Sequence, residues 1–123
     1  MPHRITDRAT FGALARARRV RQGPLTVAFV PPDASAPDLG RPDARVAYST
    51  GRKVGGAVVR NRVRRRLRAA CRQHAALLVP GAAYLVSASP ATATASYQDL
   101  AAHLAVALER VGHGTRSAPV PVA

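Results

Sequence analysis

The richest source of chemistry in this sequence is the segment at residues 52–72, which has the sequence RKVGGAVVRNRVRRRLRAACR. Seven arginines lie between Arg60 and Arg72, and the segment contains no acidic residue. A guanidinium group stays charged when it is partly desolvated, and it presents a planar fork of donors that matches phosphate. The segment therefore predicts contact with a polyanion, and nucleic acid is the class that we favour.

The arginines have the spacing of a helical surface. One set recurs at every fourth position and three more widen the basic surface around it: Arg60, Arg64, Arg68 and Arg72, then Arg62, Arg65 and Arg66. The whole chain has 19 basic and 6 acidic residues, a net charge of +13, so its own acids cannot neutralise this surface. Because solvated helix faces usually mix charges of both signs, we favour an external polyanion over a merely solvated face.

Two features near the start of this helix leave alternatives open. Gly55-Gly56 would place free backbone N–H groups at a helix N-terminus, where phosphate binds well, but a tight turn explains the pair equally well. Asn61 is a poor helix former between two arginines. Its amide would either orient neighbouring groups, bind RNA or a hydrated metal ion, or be a plain polar residue on the surface.

The elements that must position this segment follow from apolar spacing and turn signals. Helices are predicted from Asp7 toward residues 18–19, at 57–78, and from a capping box at Ser96 to Gly112. Strands are predicted at 25–30, 45–49 and 83–88, with a brief further strand in 50–55. The order α-β-β-β-α-β-α predicts an α+β fold with helices packed on one small sheet. Residues 1–111 would form a single domain with a flexible loop at 31–44, and 112–123 a disordered tail.

Other features narrow the class of protein. The single Cys71 excludes an internal disulfide and a multi-cysteine zinc site, and we expect it to be buried on a helix face. No run reaches the ~20 apolar residues of a membrane span, and the N-terminus lacks a signal peptide, so we expect a cytoplasmic protein. Neither the acidic residues nor the four histidines have a spacing that argues for a catalytic site in the polypeptide.

The run RKVGGAVVRNRVRRRLR at residues 52–68 closely resembles the signature of the bacterial ribonuclease P protein. That signature has two basic residues, an aliphatic residue and glycine, then an Ala-Val pair that leads into Arg-Asn-Arg and further basic residues. The resemblance spans residues 4–111 and includes Arg4, Phe11 and Pro80-Gly81. Two positions depart from the family, since Ala15 replaces a second aromatic residue and Gly51 replaces a serine.

The resemblance implies a small α-β sandwich with a left-handed β-α-β crossover. It also implies a protein subunit that binds ribonuclease P RNA and the 5′ leader of precursor tRNA, and that promotes endonucleolytic removal of the leader. The holoenzyme would be an endoribonuclease whose RNA subunit holds the catalytic centre and most of the Mg²⁺. The protein would then be accessory, with no catalytic residue, no membrane contact and no obligate protein partner.

The resemblance also assigns residues to two RNA partners. Nine residues would face the catalytic RNA: Arg52, Lys53, Arg60, Asn61, Arg62, Arg64, Arg65, Arg66 and Arg68. Phe11 and Phe29 match aromatic positions of a leader-binding cleft between the sheet and the first helix, where an exposed ring stacks on bases. Core packing is the alternative for both rings. Tyr48 would either contribute to the cleft or belong to the core.

Four other classes share part of this pattern. A ribosomal or other structural RNA-binding protein would have no effect on precursor tRNA cleavage, and an autonomous ribonuclease would cleave without an RNA subunit. A DNA-binding regulator is less favoured because so dense a run of arginine suits phosphate contact better than base readout. A membrane-surface helix is less favoured because the apolar face lacks Trp and Phe. The extended motif favours the ribonuclease P protein over all four.

Overall fold

The computed structural model describes residues 3–4, 12, 14, 17–31 and 44–116, with side chains for all of these except 3–4 and 113–116. Gly12 and Leu14 have helical backbone. The regular elements within these ranges are β1 (His3–Arg4), β2 (Arg18–Gln22), β3 (Leu25–Val30), β4 (Arg45–Thr50), α1 (Ala57–Gln73), β5 (Ala83–Ala88) and α2 (Tyr97–Arg116). Short 3₁₀ turns occur at Arg52–Val54, Ala75–Leu77 and Pro90–Ala93.

The five strands form one mixed sheet in the order β1-β4-β5-β3-β2. β2 and β3 are an antiparallel hairpin, and β3 is also antiparallel to β5. β4 runs parallel to both β1 and β5. Because two parallel neighbours need a crossover connection, α1 spans the distance between β4 and β5. The predicted α+β fold is confirmed.

Side chains alternate between the two faces of the sheet. The face that packs against α1 and α2, here called the helix face, includes Leu25, Val27, Phe29, Tyr84 and Val86. The opposite face, here called the open face, carries a smaller buried cluster of Leu14, Ala28, Val30 and Ala83. The main core therefore lies between the helix face and the two helices.

Each helix contributes one apolar stripe to that core. Val63 and Leu67 of α1 and Leu104 and Leu108 of α2 are fully buried, at the spacing of three to four residues that defines a helix face. Burying an aliphatic side chain of this size stabilises the fold by about 1.5–3 kcal/mol. Because these residues fix the rotation of α1, its arginines must lie on the remaining sides of the helix. Cys71 is buried, as predicted.

The first predicted helix is wrong from Arg18 onward, because Arg18–Gln22 is the edge strand β2. Val20 is buried between exposed Arg19 and Arg21, which is the alternation of a strand rather than of a helix. Pairing with β3 across the turn at Gly23-Pro24 satisfies the backbone groups of this segment.

The predicted short strand at 50–55 is also wrong. The chain forms the 3₁₀ turn Arg52–Val54 there, and the Gly55 N–H donates to the Arg52 carbonyl at 3.2 Å. α1 ends at Gln73 rather than at residue 78, because His74 leaves the helical conformation (φ −109°, ψ 29°). A single 3₁₀ turn, Ala75–Leu77, then leads toward the turn before β5.

α2 begins as predicted, since the Ser96 hydroxyl oxygen accepts a hydrogen bond from the Asp99 N–H at 3.1 Å. The predicted end at Gly112 is wrong. The helix continues to Arg116, and Gly112 is buried within it: an added Cβ would lie 3.7 Å from a methyl group of Val79, an ordinary van der Waals contact. Residues 117–123 of the predicted tail and 32–43 of the predicted loop lie outside the described residues.

The hairpin turn gives a first testable prediction: Gly23→Ala lowers the free energy of unfolding by about 1–3 kcal/mol. Gly23 has φ +57°, and an added Cβ would lie 2.6 Å from the imidazole ring of His103. Urea denaturation measures the loss. Gly51→Ala is the control, because Gly51 has φ −77° and no atom lies within 4 Å of an added Cβ. Equal losses in the two variants would contradict the argument.

Candidate nucleic-acid interface

The chain enters α1 through a sharp turn that brings the basic pair Arg52 and Lys53 next to the start of the helix. Both side chains are exposed, while Val54 between them and the glycines is buried. Gly55 has φ +152°, and an added Cβ would lie 2.9 Å from the Cβ of Val59. A residue with a side chain would therefore be strained at this position. The alternative that Gly55-Gly56 makes a tight turn is confirmed.

Beyond this turn, the predicted residues of α1 fall into two groups by exposure. The exposed ones are Asn61, Arg65 and Arg68, and Val58 beside them is 77% exposed. Half-buried residues occupy the flanks of the helix: Arg60, Arg62, Arg64 and Arg66. The basic surface is therefore not uniform, and its members differ in how much of the guanidinium group meets solvent.

A groove of about 410 Å³, here called the basic groove, is lined by these four residues and by half-buried Arg64: Val58, Asn61, Arg64, Arg65 and Arg68. Arg64 Nη1 donates to Asn61 Oδ1 at 3.0 Å, and Arg64 Nε donates to the hydroxyl oxygen of Thr50 at 3.2 Å. Because the Asn61 oxygen is engaged, its amide NH₂ is the group that remains for a ligand. The groove thus presents donors and positive charge around an exposed apolar side chain.

Tyr48 lies on the helix face beneath the basic groove. The guanidinium carbon of Arg68 is 5.7 Å from the centroid of the Tyr48 ring, within cation–π range. Tyr48 also packs against the main core and is only half-buried. The cleft alternative for Tyr48 would place it beside the first helix, but Leu14 lies on the other face of the sheet. The core alternative describes its position.

Phe29 is 1% exposed, so the predicted exposure of its ring is wrong. The period of two along β3 puts Phe29 on the same face as Leu25 and Val27. Its ring centroid is 5.1 Å from that of Tyr84, with the planes tilted by 55°, which is a favourable aromatic contact within the core. Phe11 lies outside the described residues.

The open face carries a polar row that sequence reasoning missed. The pairing register aligns one residue from each of four neighbouring strands: Arg21, Thr26, Ser87 and Ser49. Arg21 and Ser49 at its two ends are exposed, and the two residues between them are half-buried. At a strand spacing of about 4.8 Å the row is about 14 Å long. Alternation of polar residues with Val20, Val27, Val86 and Tyr48 was the available signal in the sequence.

The two surfaces meet at the end of β4. Ser49 belongs to the polar row, and the next residue, Thr50, accepts the hydrogen bond from Arg64 of the basic groove. Arg19 lies next to the polar row on β2 and donates from Nη2 to the Leu14 carbonyl at 3.3 Å. A single strand end thus connects the groove on one side of the sheet with the row on the other.

Two ionisable side chains beneath the groove, Tyr48 and Cys71, give a prediction about pH. Burial raises the pKa of Tyr48 far above its ordinary value of 10.0, with a further rise from Cys71 against the opposing charges of Arg68 and Arg72. Burial likewise raises the pKa of Cys71 above 9.0. Both groups lose protons more readily in the unfolded chain, so we expect the free energy of unfolding to fall as pH rises above about 9.

Urea denaturation between neutral and alkaline pH measures this fall. Tyr48→Phe cannot ionise at this position, so we expect its stability to decline less steeply with pH than that of the unaltered chain. Identical pH profiles for the two proteins would contradict the assignment of a strongly raised pKa to Tyr48.

The described residues also bear on metal binding and on the presence of membrane-spanning helices. Among these residues, no three His, Cys, Asp or Glu side chains come together where they could hold a metal ion. These residues therefore supply no cluster of carboxylates for a Mg²⁺ ion. No helix in these ranges is long and apolar enough to span a membrane.

Comparisons with known proteins point to one family. The family model described as Ribonuclease P matches residues 1–112. The chain is 38% identical over 118 residues to the ribonuclease P protein component of Streptomyces avermitilis, which covers 93% of this chain and 96% of the relative. It is 42% identical over 113 residues to the corresponding component of a Nocardioides species, covering 89% and 92%.

Solved structures agree at the level of the fold. The RNase P protein of Staphylococcus aureus has a TM-score of 0.73 at 19% identity, covering 89% of this chain and 95% of that one. The RNase P protein from Thermotoga maritima has a TM-score of 0.73 at 18% identity, covering 89% and 97%. The family model and the curated relatives each extend over most of the sequence, including the basic helix. This chain therefore belongs to the ribonuclease P protein component family.

Proposed function

We propose that this chain is the protein subunit of a ribonuclease P, which binds the catalytic RNA and the 5′ leader of precursor tRNA. In this role it promotes endonucleolytic removal of the leader by a catalytic centre in the RNA. The observation that carries the proposal is the basic groove on α1, which surrounds exposed Val58 with donors and positive charge in a member of this family.

The RNA subunit would bind along the groove and the adjoining pair Arg52 and Lys53. These groups are exposed, and no acidic residue occurs in the sequence between Asp43 and Asp99 to compensate them. Guanidinium groups that contact phosphates displace condensed counterions, so assembly should weaken as salt rises. The net charge of +13 supports the same partner, because it lowers the repulsion when two RNA molecules are brought together.

The leader would bind on the open face along the polar row. Arg21 supplies a charge for phosphate, and the hydroxyls of Thr26, Ser49 and Ser87 supply hydrogen bonds that every nucleotide can accept or donate. Such contacts suit a single strand of variable sequence. Phe29 and Tyr48 have no part in this surface, because both lie on the helix face.

The polypeptide contributes binding and electrostatics rather than chemistry. Mg²⁺ would be held mainly by the RNA subunit and would activate the water that cleaves the phosphodiester. The protein's residues neutralise phosphates at the junction of the two RNA molecules and hold the leader in place. Cleavage should then require less Mg²⁺ than it does with the RNA subunit alone.

The test is 5′ processing of a precursor tRNA at low Mg²⁺ by the cognate ribonuclease P RNA, with and without this protein. Cleavage at the mature 5′ end only when both are present is the expected result. No stimulation would contradict the proposal and favour a structural RNA-binding protein. Cleavage by the protein alone would place the catalytic groups in the polypeptide.

A further inference from the structure

We propose that the two edges of α1 have different tasks. Arg62 and Arg66 hold residues 93–97 against the helix, whereas Arg65 and Arg68, beside Val58, form the surface that contacts RNA. The inference rests on the proposed function, because it divides the basic helix assigned there to the RNA subunit. It also departs from the resemblance, which treats the arginines of both edges alike.

The first edge forms a ladder of hydrogen bonds, here called the seam. Arg62 Nη2 donates to the Ala93 carbonyl at 3.5 Å, and Arg66 Nη1 donates to the Ala95 carbonyl at 3.1 Å. Further along the same edge, the Tyr97 hydroxyl donates to Gln73 Oε1 at 2.8 Å. Three side chains of α1 thus meet alternate residues of the segment that leads into α2. Of the two arginine hydrogen bonds, that of Arg66 is the shorter and therefore the stronger.

The two arginines of the seam donate to backbone carbonyls at and just after the end of a helical turn. Ala93 is the last residue of the 3₁₀ turn Pro90–Ala93, and Ala95 lies between that turn and α2. Carbonyls at the end of a helical turn lack partners within it, so a side-chain donor stabilises them. Arg62 and Arg66 are both half-buried, and the Nε of Arg62 is buried without a hydrogen-bond partner in the described chain. These guanidinium groups are therefore partly withdrawn from solvent.

The second edge is open. Arg65 and Arg68 are exposed and line the basic groove, and Arg65 makes no hydrogen bond or ion pair with the rest of the described chain. Arg66 and Arg68 are two positions apart, which separates them by about 160° around the helix. One RNA strand on the groove therefore cannot use both edges equally. The exposure and charge of Arg65 and Arg68, and their position in the basic groove, all place the RNA contact on this edge of α1.

The salt dependence of RNA binding separates the two tasks. Each phosphate contact that an arginine makes changes the slope of log K against log salt by about 0.7–0.9. An arginine that is committed to protein carbonyls contributes nothing to this slope, although its loss weakens the fold. Arg65 and Arg66 are adjacent, identical residues on opposite sides of this division, so they form a matched pair.

The experiment compares Arg65→Gln with Arg66→Gln in the full chain, with ribonuclease P RNA from about 0.1 to 0.4 M salt. For Arg65→Gln we expect the slope to become shallower by about 0.7–0.9, with Tm changed by less than about 2 °C. For Arg66→Gln we expect an unchanged slope and a Tm lower by about 4–8 °C. Amide hydrogen exchange in residues 93–97 should rise about tenfold in Arg66→Gln only.

A slope that becomes equally shallow in both variants would overturn the inference, because Arg66 would then be a phosphate contact. If Arg66→Gln prevents folding, Arg62→Gln takes its place. Its longer hydrogen bond predicts a smaller loss of Tm with the slope again unchanged, and a shallower slope would again overturn the inference. Absence of RNA binding by the unaltered chain would contradict the proposed function instead, while Tm and exchange would still test the seam.

Discussion

We expect Phe29→Ala to lower the free energy of unfolding by about 3–5 kcal/mol. The Phe29 ring is 1% exposed and lies 5.1 Å from the ring of Tyr84, centroid to centroid, in the middle of the main core. Its removal leaves a cavity between the sheet and the helices, which surrounding side chains fill only in part. A loss of this size is a large share of the ~5–15 kcal/mol that stabilises a small domain.

Urea denaturation measures this loss, with Val58→Ala as the control. Val58 is 77% exposed, so we expect its truncation to change stability by less than about 0.5 kcal/mol. Phe29→Leu retains most of the volume and should stay folded. Its affinity for precursor tRNA should equal that of the unaltered chain, since the ring offers no surface to a base. A selective loss of leader affinity in folded Phe29→Leu would contradict its place in the core.

The second large effect is expected at the polar row. Arg21→Glu combined with Ser49→Glu places negative charge at both exposed ends of the row. We expect the preference of the holoenzyme for precursor over mature tRNA to fall by about 10- to 100-fold, because the leader phosphates lose one cation and meet two anions. Binding of the two tRNA forms, measured at one salt concentration, gives this ratio.

The control variant changes the net charge by the same amount, but at positions outside the polar row. Arg18→Glu combined with Ala102→Glu alters two exposed residues, one on the same strand and one on α2. Arg18 is an even-numbered residue of β2, as Val20 is, and therefore does not share a face with Arg21. Equal losses from the two pairs would show that net charge alone governs the preference, and would contradict leader binding along the row.

Much of the fold could be predicted because its signals are local. β3, β4 and β5 follow from short apolar runs between turn residues, and the start of α2 follows from the side chain of Ser96. β2 could not be predicted in this way. It is an edge strand in which only Val20 is buried, and its pairing with β3 overrides the weak helical spacing before it.

The composition of the basic surface on α1 could be predicted from the sequence, but its division into two edges with different tasks could not. The basic helix is evident from its arginines, yet Arg65 and Arg66 are chemically identical in the sequence. Their separation depends on where residues 93–97 lie, which is a tertiary contact between distant parts of the chain. Phe29 illustrates the same difficulty. Buried apolar residues lie on both faces of β3, and only Thr26 marks the open face, so the apolar pattern around Phe29 does not tell which face the helices cover.

The order of the strands has a consequence for how the protein is made. β5 lies at the centre of the sheet, pairing with β3 on one side and β4 on the other, yet it is the last of the described strands along the sequence. Among the described strands, only the β2–β3 hairpin is a local pairing, and contacts between distant residues form slowly. During synthesis the arginines of α1 therefore leave the ribosome before the sheet that orients them can close. A strongly cationic segment is thus complete in the growing chain before the sheet against which it packs.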